Sequence, residues 1–116
     1  MLVVIPIQSI IDRNFYFTKV PCDDERKKAI EGCYSSFIYY NTPQEQITSI
    51  VVSLIKGHFF LDGNKRTALF VYLVLSKLNN LSYIKDEDEQ VKVFVEIAAT
   101  HKKMEDYVSL LFPQEK

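Results

Sequence analysis

The sequence predicts an all-α protein, a compact bundle of five to six helices around one buried central helix. Apolar residues make up 47% of the 116 residues and include eight Phe and seven Tyr, which is enough to bury a core. Gly and Pro are scarce, at three and four residues, which is not typical of disordered or all-β chains. We therefore expect one domain over residues 1–116.

The first forty residues predict two helices and a connection. Ile7 to Asn14 is expected to form a short helix, followed by a loop that Pro21 ends. Either Asp23 or Asp24 can cap a second helix that runs to about Phe37. The predicted apolar face of this helix consists of Ala29, Ile30, Cys33, Tyr34 and Phe37.

The segment FIYYNT, residues 37–42, is aromatic and favours a short extended piece. Thr42, Pro43 and Glu45 then have the spacing of a capping box with proline at the first helical position. The helix that they begin is expected to end near Gly57. Its apolar stripe consists of Ile47, Ile50, Val51, Leu54 and Ile55, and His58 is the next position on that stripe.

Asp62 and Gly63 predict a turn, and a helix is expected from Asn64 to about Asn79. It is apolar on all sides between Ala68 and Leu75, which indicates a helix packed on several faces.

The last third of the chain predicts two more helices. The acidic run from Lys85 to Gln90 suits the start of a helix that reaches about Ala99. A last helix is expected from Lys102 to Phe112, before Pro113.

Composition argues against several functional classes. The net charge of −1 gives no support for direct binding of nucleic acid or of a membrane. The longest apolar run, Ala68 to Leu75, is far shorter than the ~20 residues that span a bilayer. Cys22 and Cys33 form no metal-binding pattern and are expected to be buried free thiols. We expect a cytoplasmic protein.

The stretch HFFLDGNKRTAL, residues 58–69, concentrates polar chemistry directly before the most apolar helix. The first N–H groups of a helix lack internal partners and attract anions. Lys65 and Arg66 add two cations there, although cations oppose the dipole at that end. Such a local conflict is expected at a functional site.

Two further side chains complete a reaction site. Asp62 can share Mg²⁺ with substrate phosphates, and His58 can remove a proton from an attacking hydroxyl. These are the parts of phosphoryl or nucleotidyl transfer. Taken singly, His58 could be a core histidine and Asp62–Gly63 a plain turn. Phe60 is expected to anchor the loop in the core, and His101 to be a surface or packing histidine.

This stretch resembles the signature of the Fic/Doc family. The general Fic pattern is H-P-F-x-(D/E)-G-N-G-R-x-x-R, and the Doc branch has H-x-F-x-(D/A)-(G/A)-N-K-R-T-A. The residues that match the Doc pattern are His58, Phe60, Asp62, Gly63, Asn64, Lys65, Arg66, Thr67 and Ala68. The resemblance extends over about Asp24 to Asn80.

The resemblance implies an all-helical fold in which the motif loop joins two central helices beneath a short flap. It implies that His58 is the general base, that Asp62 holds Mg²⁺, and that Asn64, Lys65 and Arg66 bind phosphates, with Gly63 giving backbone access. The flap, which docks the target protein, would consist of Phe37, Ile38, Tyr39, Tyr40, Asn41 and Thr42. A plain connection between helices is the alternative for that segment.

Two departures from the general Fic pattern matter for the reaction. Lys65 replaces the second glycine and Leu69 replaces the last arginine. The resemblance to Doc implies that the γ-phosphate of ATP then faces the attacking Ser or Thr hydroxyl, so that the product is a phosphorylated protein. Its implied target is elongation factor Tu, with inhibition of translation. Transfer of AMP is the alternative.

The resemblance also bears on regulation. The sequence lacks the inhibitory pattern (S/T)-x-x-x-E-(G/N) of many Fic proteins. A toxin restrained in trans by an antitoxin protein is therefore expected. A non-catalytic binding module with the same fold and a purely structural bundle remain as further alternatives.

Overall fold

The computed structural model describes residues 2–113, which form six α-helices, one short 3-10 helix and no strand. The all-α prediction is therefore confirmed. The helices are α1 (Ile7–Thr18), α2 (Asp24–Ser35), the 3-10 helix Ser36–Tyr39, α3 (Pro43–Lys56), α4 (Asn64–Leu78), α5 (Glu87–Ala99) and α6 (Met104–Leu111).

Helices α3 and α4 form the centre of the bundle. They pack against each other, α3 also contacts α2, α5 and α6, and α4 contacts α1 and α5. The predicted stripe of α3 is buried throughout. On α4, Ala68, Val71, Tyr72 and Leu75 are buried and the four apolar residues between them are half-buried. The prediction of a buried central helix is thus confirmed, and α3 shares that position.

The ends of the helices follow local sequence signals. Thr42 accepts a hydrogen bond from the Glu45 N–H while the Glu45 carboxylate accepts one from the Thr42 N–H, which is the predicted capping box. Asp23, rather than Asp24, caps α2 through the N–H of Arg26. Asp86 caps α5 in the same way. These caps fix where the helices begin without help from distant residues.

Three local predictions are wrong. Helix α1 continues to Thr18 instead of ending at Asn14, and it stops where Lys19 adopts a left-handed conformation (φ 61°) and donates its N–H to the Phe15 carbonyl. Residues Ser36–Tyr39 form a 3-10 helix instead of an extended piece, and extended dihedral angles are adopted by Tyr40 and Thr42. Ala29 is exposed, so it does not belong to the buried face of α2.

The two cysteines are free, as predicted, but they are half-buried rather than buried. Within residues 2–113 no helix is both long and apolar enough to cross a membrane.

Candidate active site

The loop between α3 and α4 presents His58 to solvent. The helix ends at Lys56, and His58 has a positive φ of 50°, which turns it off the buried stripe. A Cβ at Gly57 would lie 2.5 Å from the Phe59 ring and 2.7 Å from the Ser53 carbonyl oxygen, so the chain requires glycine there. The possibility of a core histidine is therefore wrong, and His58 is exposed beside a strained turn.

Two side chains hold the loop in place. Phe60 is 4% exposed and anchors the loop in the core, as predicted. The Asn64 side chain accepts a hydrogen bond from the Phe60 N–H (3.0 Å) and donates one to the Phe60 carbonyl (2.9 Å). The side-chain amide of Asn64 thus closes the loop, and the phosphate contact expected of Asn64 stays a prediction, for which its backbone N–H is the remaining donor.

Helix α1 supports the turn from the other side. The buried Asn14 side chain donates hydrogen bonds to the Asp62 carbonyl (2.9 Å) and to the Thr67 hydroxyl (3.0 Å). Gly63 has a φ of 75°, and a Cβ there would lie 2.7 Å from the Thr18 side chain. Asn14 was not predicted as a site residue. Its only signal is a polar residue on the apolar face formed by Ile10 and Ile11.

The start of α4 combines an uncapped helix N-terminus with two cations, an arrangement that suits an anion. Its N-cap is Gly63, no side chain caps it, and its first turn holds no acid. Lys65 and Arg66 are exposed, and the Arg66 guanidinium lies over the Phe17 ring, 5.3 Å from the centroid. The free N–H dipoles and the two cations therefore face the same region of solvent.

Asp62 stands next to this helix start. One of its carboxylate oxygens accepts a hydrogen bond from the Gly63 N–H at 2.7 Å, and the side chain is exposed. Among residues 2–113 no three His, Cys, Asp or Glu side chains cluster as metal ligands. A single carboxylate fits Mg²⁺ that takes its other ligands from water and substrate phosphates.

These residues line a cavity of about 630 Å³, a volume in the range of small-molecule sites. The structure brings together His58, Asp62, Gly63, Asn64, Lys65 and Arg66, all predicted from the sequence. The predicted flap, residues 37–42, does not line this cavity. It contacts the first turn of α3, where Gln46 donates to the Tyr40 carbonyl, whereas His58 follows the last turn.

Sequence reasoning missed two polar residues of the cavity wall. Lys56 and His101 both line the cavity, and His101 is exposed in the linker between α5 and α6. Lys56 is the only basic residue in the last turn of α3, and His101 was predicted to be a surface or packing residue.

A tyrosine of α6 joins these two segments. The Tyr107 hydroxyl donates to the Thr100 carbonyl, and the Lys56 ammonium lies 5.9 Å from the centroid of its ring. Burial raises the pKa of Tyr107, but hydrogen bonds with Thr100 and Lys102 and the charge of Lys56 outweigh it, so that the pKa lies below its ordinary value.

Comparison with known families gives this geometry a context. Residues 17–76 match the Fic/DOC family, a range that runs from the end of α1 through most of α4 and contains the whole motif loop. No individual curated protein matches the chain. The matched range covers just over half of the chain, and membership of this family supports a transferase that acts on proteins. The chain belongs to the Fic/DOC family.

Proposed function

We propose that this protein is a phosphotransferase of the Doc type, which moves the γ-phosphate of ATP to a Ser or Thr hydroxyl of a target protein. The observation that supports it is the exposed Lys65 at the start of α4, on the wall of the cavity that also holds His58 and Asp62. A lysine in place of the general glycine fills space near the phosphates and supplies a point charge.

The residues have distinct roles in this reaction. An imidazole nitrogen of His58 takes the proton of the target hydroxyl. The hydroxyl oxygen then attacks the γ-phosphorus, the bond from phosphorus to the bridging oxygen breaks, and ADP leaves. The α4 N–H groups, Lys65 and Arg66 stabilise the negative charge of the phosphates.

Asp62 is the residue proposed to hold Mg²⁺. When bound, the ion supplies charge neutralisation for the phosphates. The hydrogen bond from the Gly63 N–H fixes the orientation of the carboxylate.

The physiological role follows as part of the same proposal. Elongation factor Tu is the proposed target, with inhibition of translation as the consequence, and an antitoxin protein is the proposed partner in trans. Docking of the target by residues 37–42 stays a prediction. Ile38 and Tyr39 are 63% and 81% exposed, which leaves apolar surface for a partner protein.

Labelled ATP tests the reaction. Purified protein is incubated with elongation factor Tu or cell extract and with ATP labelled at the γ or the α position. We expect γ-label in protein with the wild type and none with His58→Ala. Transfer of the α-label alone would replace this proposal with AMP transfer. If the His58→Ala variant still arrests the growth of cells as the wild type does, the protein is instead a binding module without catalysis.

Asp62→Asn separates nucleotide use from folding. We expect phosphate transfer to fall at least tenfold, while the thermal unfolding midpoint stays within about 2 °C, because the exposed carboxylate has few packing contacts. Asp12→Asn, which changes an exposed carboxylate on α1, is the matched control and should retain transfer. Equal losses of transfer in both variants would contradict the role of Asp62.

A further inference from the structure

The cavity has a second wall that the family motif does not contribute. Ala98 at the end of α5 and His101 in the following linker line it together with His58 and the start of α4. The matched family range ends at residue 76, so this wall lies outside it.

Hydrogen bonds fix the linker on both sides of His101. On one side, the Lys56 ammonium and the Tyr107 hydroxyl both donate to the Thr100 carbonyl. On the other side, the Lys102 N–H donates to the Tyr107 hydroxyl at 3.0 Å. Tyr107 is itself 3% exposed. The position of His101 at the cavity is therefore set by a buried tyrosine and by the end of α3.

The charges around the cavity suit a polyanion. Its lining holds three cations, Lys56, Lys65 and Arg66, against one carboxylate, Asp62. Near His101, Lys102 pairs with Glu96 at 3.3 Å. An imidazole in any protonation state has at least one N–H to donate, so His101 can supply a hydrogen bond to an anion that the α4 start binds from its own side.

We infer that His101 contacts the triphosphate of the nucleotide, and that Lys56 and Tyr107 are positioning residues that hold the linker. This inference rests on the proposed function and deepens it. Helix α5 and its linker thus take part in nucleotide binding, and the motif loop carries the proton transfer.

Binding measurements test the contact. Mg·ATP and inorganic tripolyphosphate are titrated calorimetrically into the wild type and variants. We expect His101→Ala to lower the affinity for both ligands about tenfold, the effect of one hydrogen bond to a charged group. His101→Gln keeps an N–H donor and should stay within about threefold of the wild type. Lys103→Ala removes an exposed cation that does not line the cavity, and it serves as the matched control.

The outcomes separate the two proposals. If the wild type binds Mg·ATP and His101→Ala binds it equally well, this inference is overturned and the proposed function is not. Weaker ATP binding with unchanged tripolyphosphate binding would place His101 at the nucleoside and also overturn it. A wild type that binds neither ligand and transfers no γ-label would overturn the proposed function itself.

A double-mutant comparison tests the positioning role. In the wild-type background, Lys56→Met and Tyr107→Phe should each weaken the binding of Mg·ATP several-fold. In the His101→Ala background they should have little further effect, because they act through the same contact. Lys56→Arg keeps a cationic donor and should restore most of the affinity. If Lys56→Met costs the same factor in both backgrounds, Lys56 binds the nucleotide directly and the positioning role is wrong.

Discussion

Individual residues of the motif loop adopt conformations that do not favour stability. His58 is a non-glycine residue with φ of 50°, and the first turn of α4 holds two cations and no acid. Both features cost free energy, and they persist because the surroundings hold the loop in this conformation. The surroundings are Asn14, Asn64 and Phe60, whose hydrogen bonds and burial hold the loop. The loop is thus stabilised by contacts that keep its reactive groups exposed.

Gly63→Ala tests this dependence at one residue. The new Cβ would lie 2.7 Å from the Thr18 side chain, and the φ of 75° is unfavourable for alanine. We expect the free energy of unfolding to fall by about 1–3 kcal/mol and phosphate transfer to be lost, as measured by urea unfolding and by γ-label transfer.

The matched control for this variant is Gly32→Ala. Gly32 lies inside α2 with open space around it, so alanine there should raise stability by about 0.5–1 kcal/mol. If Gly63→Ala is as stable and active as the wild type, the turn does not depend on glycine.

The residues of the site differ in how readily the sequence reveals them. Those of the motif stand together in a short stretch, so their chemistry and spacing predict a shared site. Asn14 and its partners Asp62 and Thr67 are 48 and 53 positions apart. His101 reaches the cavity only through the packing of α5 and α6 against α3. Such contacts depend on tertiary structure, and no local pattern reports them.

At the scale of elements, prediction succeeds where the determinants are local. The capping box of α3, the acidic start of α5 and the apolar α4 are each set by residues within one or two turns. Residues 37–39 have β-prone side chains but continue from α2 as a 3-10 helix, and the Phe37 ring of that helix packs against the Tyr34 ring of α2 at 6.3 Å between ring centroids. Packing thus outweighs intrinsic preference in this segment.

Thr42→Ala tests the local determinant of α3. The change removes the hydroxyl that accepts from the Glu45 N–H and donates to its carboxylate. We expect urea unfolding to show a loss of about 0.5–2 kcal/mol. Mg·ATP binding should be unchanged because His58 follows the opposite end of this 14-residue helix.

Ser82→Ala, an exposed substitution between α4 and α5, is the control for the loss of a hydroxyl and should have no measurable effect on stability. A change in Mg·ATP affinity with Thr42→Ala would show that the two ends of α3 are coupled.

Over the whole molecule, Tyr72 links three parts of the bundle. Its fully buried ring packs against Phe94 of α5 and against Phe112 after α6. Its hydroxyl donates to the Leu111 carbonyl at 2.6 Å and accepts from the Ile84 N–H at 2.9 Å. The sequence predicts a buried helix here, but the hydrogen bonds of the Tyr72 hydroxyl follow only from the assembled fold.

Two tyrosines, Tyr72 and Tyr34, make the bundle less stable at high pH. Burial raises the pKa of both to about 12, above the ordinary value of 10.0. The folded protein therefore keeps two phenolic protons that the unfolded chain loses from pH 10 upward. Their contribution is complete below pH 10 and is lost as the pH rises to 12. The buried Tyr72 contributes up to about 2–3 kcal/mol by this linkage, and the half-buried Tyr34 contributes less because solvent screens its hydroxyl.

Urea unfolding at intervals from pH 9 to 12 measures this dependence. The free energy of unfolding should fall more steeply in the wild type than in the double variant Tyr34→Phe/Tyr72→Phe. The variant starts from a lower value because Leu111 and Ile84 lose a buried partner. Tyr16→Phe, at an exposed position, should keep the wild-type slope. Equal slopes in the wild type and the double variant would mean that the hydroxyls of Tyr34 and Tyr72 ionise as readily in the folded protein as in the unfolded chain.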